Sequence, residues 1–103
     1  MTGDELLVGK FSHIEIKPFS YKILEGLEKV GGETTSIDLA ERMNLLPRQI
    51  DAALTRSLVR WGFARRELRE KKPFKVKVNM VILTPLGKEY LEYRRKGKRE
   101  ESL

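Results

Sequence analysis

The sequence predicts an α+β fold, mostly helical, in which three helices precede a two-stranded β-hairpin and one helix follows it. Three observations predict this order. Apolar residues recur at helical spacing in three segments between residues 18 and 61, alternate with polar residues after Gly62, and recur at helical spacing again after Thr84-Pro85.

The first two predicted helices are bounded by residues typical of helix ends. Pro18 suits a first helical turn, and Gly31-Gly32 ends the first helix. The apolar face of this helix consists of Phe19, Ile23, Leu24, Leu27 and Val30. Thr34-Thr35 is a brief extended link, and Ser36 is predicted to cap a second helix over residues 37–43.

The third predicted helix begins at Pro47 and stops at Gly62. Its predicted apolar face consists of Ile50, Ala53, Leu54, Leu58 and Trp61. This spacing places the Trp61 indole in the core.

Beyond Gly62 the pattern is that of a hairpin and a last helix. Residues 63–68 form the first predicted strand. A half-buried second strand is predicted from the alternating residues Phe74, Val76, Val78, Met80 and Ile82. Thr84-Pro85 begins the last helix, which has Leu86, Tyr90 and Leu91 on its apolar side.

These elements make one domain, residues 18–94. Residues 1–17 are predicted to form an N-terminal arm or a short strand, because Ile14 and Ile16 flank a charged residue. Residues 95–103 are charged and lack periodicity, so we expect a disordered tail.

Composition excludes several classes of protein. The 103 residues include no cysteine and one histidine, His13, so disulfides, thiolate metal sites and multi-histidine sites are excluded. We therefore expect no metal and no cofactor, and an enzyme is the least expected class. The longest apolar run, residues 80–83, is far shorter than the roughly 20 residues of a membrane span, so we expect a cytoplasmic protein without a membrane partner.

Charge is distributed unevenly along the chain. The formal net charge is +6. Residues 1–46 hold 5 basic and 8 acidic residues, whereas residues 47–103 hold 16 basic and 7 acidic residues. A basic half on a small domain indicates a polyanionic partner, although a solvated basic face would give the same composition.

Residues 36–61 form a helix-turn-helix pattern. Leu39, Met43, Leu45, Ile50 and Ala53 are apolar at the spacing of two packed helices. Ala40 is small where the helices approach, and Asn44 suits the positive φ that the turn needs.

The stretch from Leu39 to Leu54 resembles the helix-turn-helix of winged-helix transcription regulators, and most closely the small archaeal and MarR-type regulators. Residues 58–63 resemble the end of their recognition helix, and LTPLGKEYL, residues 83–91, resembles the entry to their last helix. The resemblance implies a winged helix, with the third helix in the major groove and a β-wing beside it. The sequence departs from the family at Leu46, where a Ser or Thr cap is usual, and at Asp51, which is acidic near the expected DNA face.

The third helix carries the first set of candidate DNA-binding residues: Arg48, Gln49, Ala52, Thr55 and Arg56. Arg48 and Gln49 lie in the first turn, where recognition helices contact base edges, and Arg pairs with guanine as Gln does with adenine. Ala52 allows close approach. Thr55 and Arg56 are better placed for phosphates.

The predicted wing carries the second set: Arg65, Arg66, Arg69, Lys71, Lys72 and Lys75. A basic hairpin suits contact with the DNA backbone or the minor groove. Lysines on an exposed strand also discourage edge-to-edge aggregation, which is the alternative explanation.

The sequence therefore predicts a double-stranded DNA-binding protein, and a transcription regulator in particular. A homodimer is expected to form through the N-terminal arm and the last helix, because such regulators bind paired half-sites. The alternatives are a winged-helix protein–protein interaction module and an RNA- or ribosome-associated binder.

Overall fold

The computed structural model describes residues 11, 14–71, 73–74 and 76–102. The helices are α1 (Pro18–Lys29), α2 (Ser36–Met43), α3 (Pro47–Ala53) and α4 (Pro85–Ser102). The strands are β1 (Glu33–Thr35), β2 (Ala64–Lys71) and β3 (Val76–Leu83), and a π-helical turn, Leu54–Leu58, extends α3. The mostly helical α+β winged-helix arrangement is confirmed. Residues 14–17 have no regular secondary structure, and the rest of the predicted arm lies outside the described residues, Phe11 excepted.

The sheet has a third strand that the sequence analysis treated as a link. β1 pairs antiparallel with β3, from Glu33 opposite Ile82 to Thr35 opposite Met80, and the strand order is β1-β3-β2. The β2–β3 ladder continues four register pairs beyond this point, from Leu68 opposite Asn79 to Lys71 opposite Val76. The outer half of the hairpin is therefore a two-stranded ribbon that projects past β1.

The turn between α2 and α3 has the predicted geometry. Asn44 adopts φ 57°, and the Leu45 N–H donates to the Ala40 carbonyl at 2.8 Å. Ala40 is fully buried. The cap of α2 lies one residue earlier than predicted, because the Thr35 hydroxyl, and not that of Ser36, accepts from the Asp38 N–H at 3.1 Å.

The prediction that Trp61 lies in the core is wrong. Ile50, Ala53, Leu54 and Leu58 are buried as predicted, but Trp61 is 40% exposed. The Val59 N–H donates to the Leu54 carbonyl, so this turn closes over five residues. The extra residue rotates the following side chains by roughly 100°, and Phe63 takes the core position instead.

The residues of β3 that face the core are not those of the predicted alternating apolar set. Val81 and Leu83 are buried, whereas Met80 and Ile82 are only half-buried and Val76 is 53% exposed. Successive residues of a strand face opposite sides of a sheet, so the alternating apolar set lies mainly on the face away from the core.

The core ends in an aromatic cluster that joins α4 to the residues before α1. The Phe63 and Tyr90 rings stack with centroids 4.4 Å apart, and Phe11 contacts both rings edge-on. Such pairs contribute about 0.5–1.5 kcal/mol beyond their buried area. Tyr90 lies in the core as predicted, and Tyr93 packs beside it.

A close backbone contact explains the LTPLG segment that begins α4. The Thr84 hydroxyl donates to the Gly62 carbonyl and accepts from the Gly87 N–H. A Cβ at Gly87 would lie 2.1 Å from the Phe63 carbonyl oxygen. Glycine is therefore required where α4 passes the end of the helix-turn-helix.

Helix α4 continues to Ser102, so the prediction of a disordered tail from residue 95 differs from the structure. Arg95 makes two hydrogen bonds to the Glu28 carboxylate, at 2.6 and 3.3 Å, which join α4 to α1. In the described part of the chain, no helix is both long enough and apolar enough to span a bilayer.

Candidate nucleic-acid interface

The exposed side of α3 brings the predicted recognition residues together. All five candidate residues are exposed, and they lie opposite the buried Ile50, Ala53 and Leu54: Arg48, Gln49, Ala52, Thr55 and Arg56. Along the helix, Arg48 and Gln49 lie about one turn before the small Ala52, and Arg56 lies about one turn after it. This face has the donors for base edges and phosphates, and their contact with DNA remains a prediction.

Gln49 has a structural role that the sequence analysis did not assign. Leu46 occupies the cap position of α3 and has no side-chain acceptor, so the Gln49 Oε1 accepts from the Leu46 N–H at 2.9 Å. Bidentate pairing with adenine uses both the oxygen and the amide nitrogen of glutamine. In the structure this oxygen is already bound to the Leu46 backbone, so pairing with adenine would require the side chain to share or give up this bond.

Arg66 fixes the hairpin against α3. Its Nη2 donates to the Asp51 carbonyl oxygen at 2.9 Å and to the Thr55 Oγ1 at 2.8 Å. Thr55 was predicted to contact phosphates and Arg66 the DNA backbone or the minor groove, but in the structure the two side chains bind each other. The contact also gives Asp51 a role through its backbone. Side chains within the candidate interface therefore link the hairpin to α3.

Arg69 lies on the opposite face of the sheet and is paired with acids. It contacts Glu33 of β1 and Glu67 of β2, and hydrogen bonds to both carboxylates raise its pKa. The register places Arg65, Glu67 and Arg69 on the face away from Arg66. The positive charge of Arg69 is compensated locally, so a phosphate would have to compete with these two carboxylates.

The structure describes only some of the remaining basic residues of the wing. Arg65 and Lys77 are exposed. Lys72 and Lys75 lie outside the described residues, and the Lys71 side chain is not described. The structure therefore places Arg65 and Arg66 on the base of the hairpin, and the tip lysines remain a prediction from the sequence.

A groove beside α3 was missed by the sequence analysis. It has a volume of about 420 Å³ and is lined by the start of α1 and the edge of the candidate face, including Phe19, Gln49, Arg56 and Trp61. Sequence reasoning placed Trp61 in the core and therefore expected no opening here. The π-helical turn is the feature that places the indole on this surface.

No protein-family model matches the sequence, and no curated protein matches it. Solved structures do match. A MarR family transcription regulator superposes with a TM-score of 0.68 at 18% identity, over 95% of this chain and 62% of the other. The YusO protein of Bacillus subtilis superposes with a TM-score of 0.72 at 21% identity, over 96% of this chain and 64% of YusO. The reduced form of MarR from E. coli superposes with a TM-score of 0.63 at 25% identity, over 86% of this chain and 62% of MarR.

These similarities show the fold. The structure has the winged-helix fold of these MarR-type proteins, which is the fold that the resemblance in the sequence implied. The chain spans 62–64% of the length of these three proteins, which is less than two thirds.

Proposed function

We propose that this chain is a sequence-specific double-stranded DNA-binding protein that regulates transcription. Helix α3 enters the major groove, and the β2–β3 hairpin lies along the sugar–phosphate backbone. The observation that carries the proposal is the exposed face of α3, where Arg48 and Arg56 flank Ala52 and the hairpin is bonded to the same helix through Arg66.

The geometry supports this function in two ways. In a helix-turn-helix the first turn of the second helix contacts base edges, and Arg48 lies in that turn of α3. A hairpin that is already linked to α3 through Arg66 favours base and backbone contacts that form together, which lowers the ordering cost of binding. The solved regulators with the same fold are consistent with this assignment.

We further propose that the protein binds as a homodimer in the cytoplasm, with residues 1–17 and α4 as the contact between subunits. Helix α4 has 18 residues, about 27 Å, and only its first half carries the apolar residues of the core cluster. Dimers of this fold place two recognition helices about one DNA turn apart. A pseudo-palindromic site is therefore expected.

Selection from a pool of random duplexes, followed by sequencing, at about 50 and 200 mM salt tests the proposal, because phosphate contacts weaken over this range. An enriched motif supports a specific regulator, and a palindrome supports the dimer. Salt-sensitive binding without a motif contradicts base readout and favours an architectural or RNA-directed role. No binding at the lower salt contradicts the proposal and favours a protein–protein interaction module.

A further inference from the structure

The tip of the hairpin carries an aromatic ring with no role in the core. Phe74 lies in the turn between β2 and β3 and is 78% exposed. Pro73 precedes it and fixes one backbone angle of the turn. The flanking sequence from Lys71 to Lys77 contains four lysines and no acidic residue. An exposed apolar ring is thus presented from a strongly cationic segment.

We propose that Phe74 is an apolar wedge that enters the minor groove adjacent to α3 and packs against a partly unstacked base step. The proposal rests on the DNA-binding function above and adds a residue to it. Proteins that bend DNA insert Phe, Leu or Met in this way and use cationic side chains on either side to hold the phosphates. A protein partner of the ring would need acidic groups to match the lysines, whereas DNA supplies phosphates on both sides of the groove.

The length of the hairpin fits the spacing of the grooves. Arg66 joins β2 to α3, and the strand continues through five more ladder residues, from Glu67 to Lys71. At about 3.4 Å a residue this segment extends about 17 Å. A helical turn of DNA measures about 34–36 Å, so the minor groove faces a bound protein about half a turn, or about 17 Å, from the centre of the major groove. If α3 lies in the major groove and the hairpin runs along the duplex, this length is enough for the tip to reach the next minor groove.

The first test compares Phe74→Ala with wild type on a mixed-sequence duplex of about 24 base pairs, roughly two helical turns. Loss of aromatic–base packing is expected to weaken binding about tenfold. The slope of log affinity against log salt is expected to stay unchanged, because no phosphate contact is removed. Leu68→Ala is the matched control, since Leu68 is an apolar side chain on the same hairpin that is 60% exposed; its affinity is expected to match wild type.

A second measurement reports on the ring itself. In the double variant Trp61→Phe/Phe74→Trp, the introduced indole is the single tryptophan. Its emission is expected to be quenched by the duplex and not by heparin, a polyanion without bases. End-to-end energy transfer on the labelled duplex is expected to show a bend of about 20–90° that Phe74→Ala reduces.

The outcomes separate this inference from the function on which it rests. If wild type fails to bind the duplex, the proposed function fails and the wedge with it. If wild type binds and Phe74→Ala binds equally well, the wedge is wrong and the function stands. Three other results would also overturn the wedge. Equal losses of affinity in Phe74→Ala and Leu68→Ala would mean that the ring only supports the two-stranded ribbon, and a flatter salt slope would mean that it acts through the lysines. A changed oligomeric state would mean that the ring contacts a second copy of the chain.

Discussion

Arg66 Nη2 lies 2.8 Å from Thr55 Oγ1, and this hydrogen bond joins the hairpin to the helix that is expected to contact DNA. The same nitrogen donates to the Asp51 carbonyl oxygen one turn earlier in α3. Hydrogen bonds with a charged donor are stronger than neutral ones, but both groups are exposed here and water competes for them. The contact therefore contributes more to the orientation of the two elements than to the stability of the fold.

A double-mutant cycle on Arg66 and Thr55 measures this contact. We expect Thr55→Val and Arg66→Ala to couple by about 0.5–1 kcal/mol in the free energy of unfolding. Thr55→Ser keeps the hydroxyl and is the matched control, with stability close to wild type. Urea unfolding of the four proteins supplies the cycle, and a coupling near zero would show that the bond does not persist in solution.

Arg48 is expected to carry base readout. Arg48→Ala should weaken binding to a selected site by about 1–3 kcal/mol while weakening binding to random duplex much less. Arg56→Ala is the contrasting variant, because a phosphate contact supports every duplex alike. Titrations of both variants on a selected and a scrambled duplex check this.

Equal losses of Arg48→Ala on the two duplexes would mean that Arg48 contacts only phosphate. Gln49→Ala is informative in the same series. The Gln49 side chain accepts a hydrogen bond from the Leu46 N–H at the start of α3. We therefore expect Gln49→Ala to lower the free energy of unfolding by about 0.5–2 kcal/mol, a loss that thermal unfolding without DNA detects.

The tip lysines are expected to act through counterion release. Lys71→Ala/Lys72→Ala should weaken binding to all duplexes alike and reduce the slope of log affinity against log salt by about two. Lys22→Ala/Lys29→Ala, on exposed positions of α1, is the control with the same change in net charge. If both pairs change the slope equally, the effect comes from total charge and not from the wing.

The helix-turn-helix was predictable because steric limits act on single residues there. Asn44 has the positive φ that its residue type allows, and the buried Ala40 allows the helices to pack closely. The exposed face of α3 was predictable to the same degree, since it follows from the burial of Ile50 and Ala53 on the other side; its contact with DNA stays a prediction.

The features that sequence reasoning missed depend on distant parts of the chain. The three residues of β1 form a strand because β3 pairs with them, and nothing in Thr34-Thr35 alone requires it. The π-helical turn that exposes Trp61 has no local signal in an apolar stripe of period 3.6. The hydrogen bond between Arg66 and Thr55 joins residues eleven positions apart. A search of the sequence for clusters of basic residues cannot tell an arginine bound in this way from one that is free to contact phosphate.

Tyr90 is expected to make stability depend on alkaline pH. Burial raises the pKa of its phenol above the ordinary 10.0, more than the nearby Arg94 lowers it. Above about pH 10 the unfolded chain loses this proton while the folded chain keeps it, so the free energy of unfolding falls as pH rises toward the folded-state pKa. Tyr90→Phe should reduce the decline, and Tyr93→Phe, which keeps Tyr90, should retain it. Urea unfolding between pH 8 and pH 11 measures both, and identical declines in the two variants would contradict this assignment.

Gly87 and Gly26 make a matched pair for testing close packing. Both are helical, but a Cβ at Gly87 would lie 2.1 Å from the Phe63 carbonyl oxygen, whereas one at Gly26 would meet the Met43 sulfur at 2.9 Å. A backbone carbonyl held by the Thr84 N–H cannot move aside, but a flexible methionine can. We expect Gly87→Ala to lower the free energy of unfolding by about 2–3 kcal/mol. Gly26→Ala is expected to change it by less than about 1 kcal/mol, because improved helix propensity offsets the displacement of Met43. Thermal unfolding of the two variants measures this difference. Equal stability would show that α4 shifts away from Phe63 at little cost.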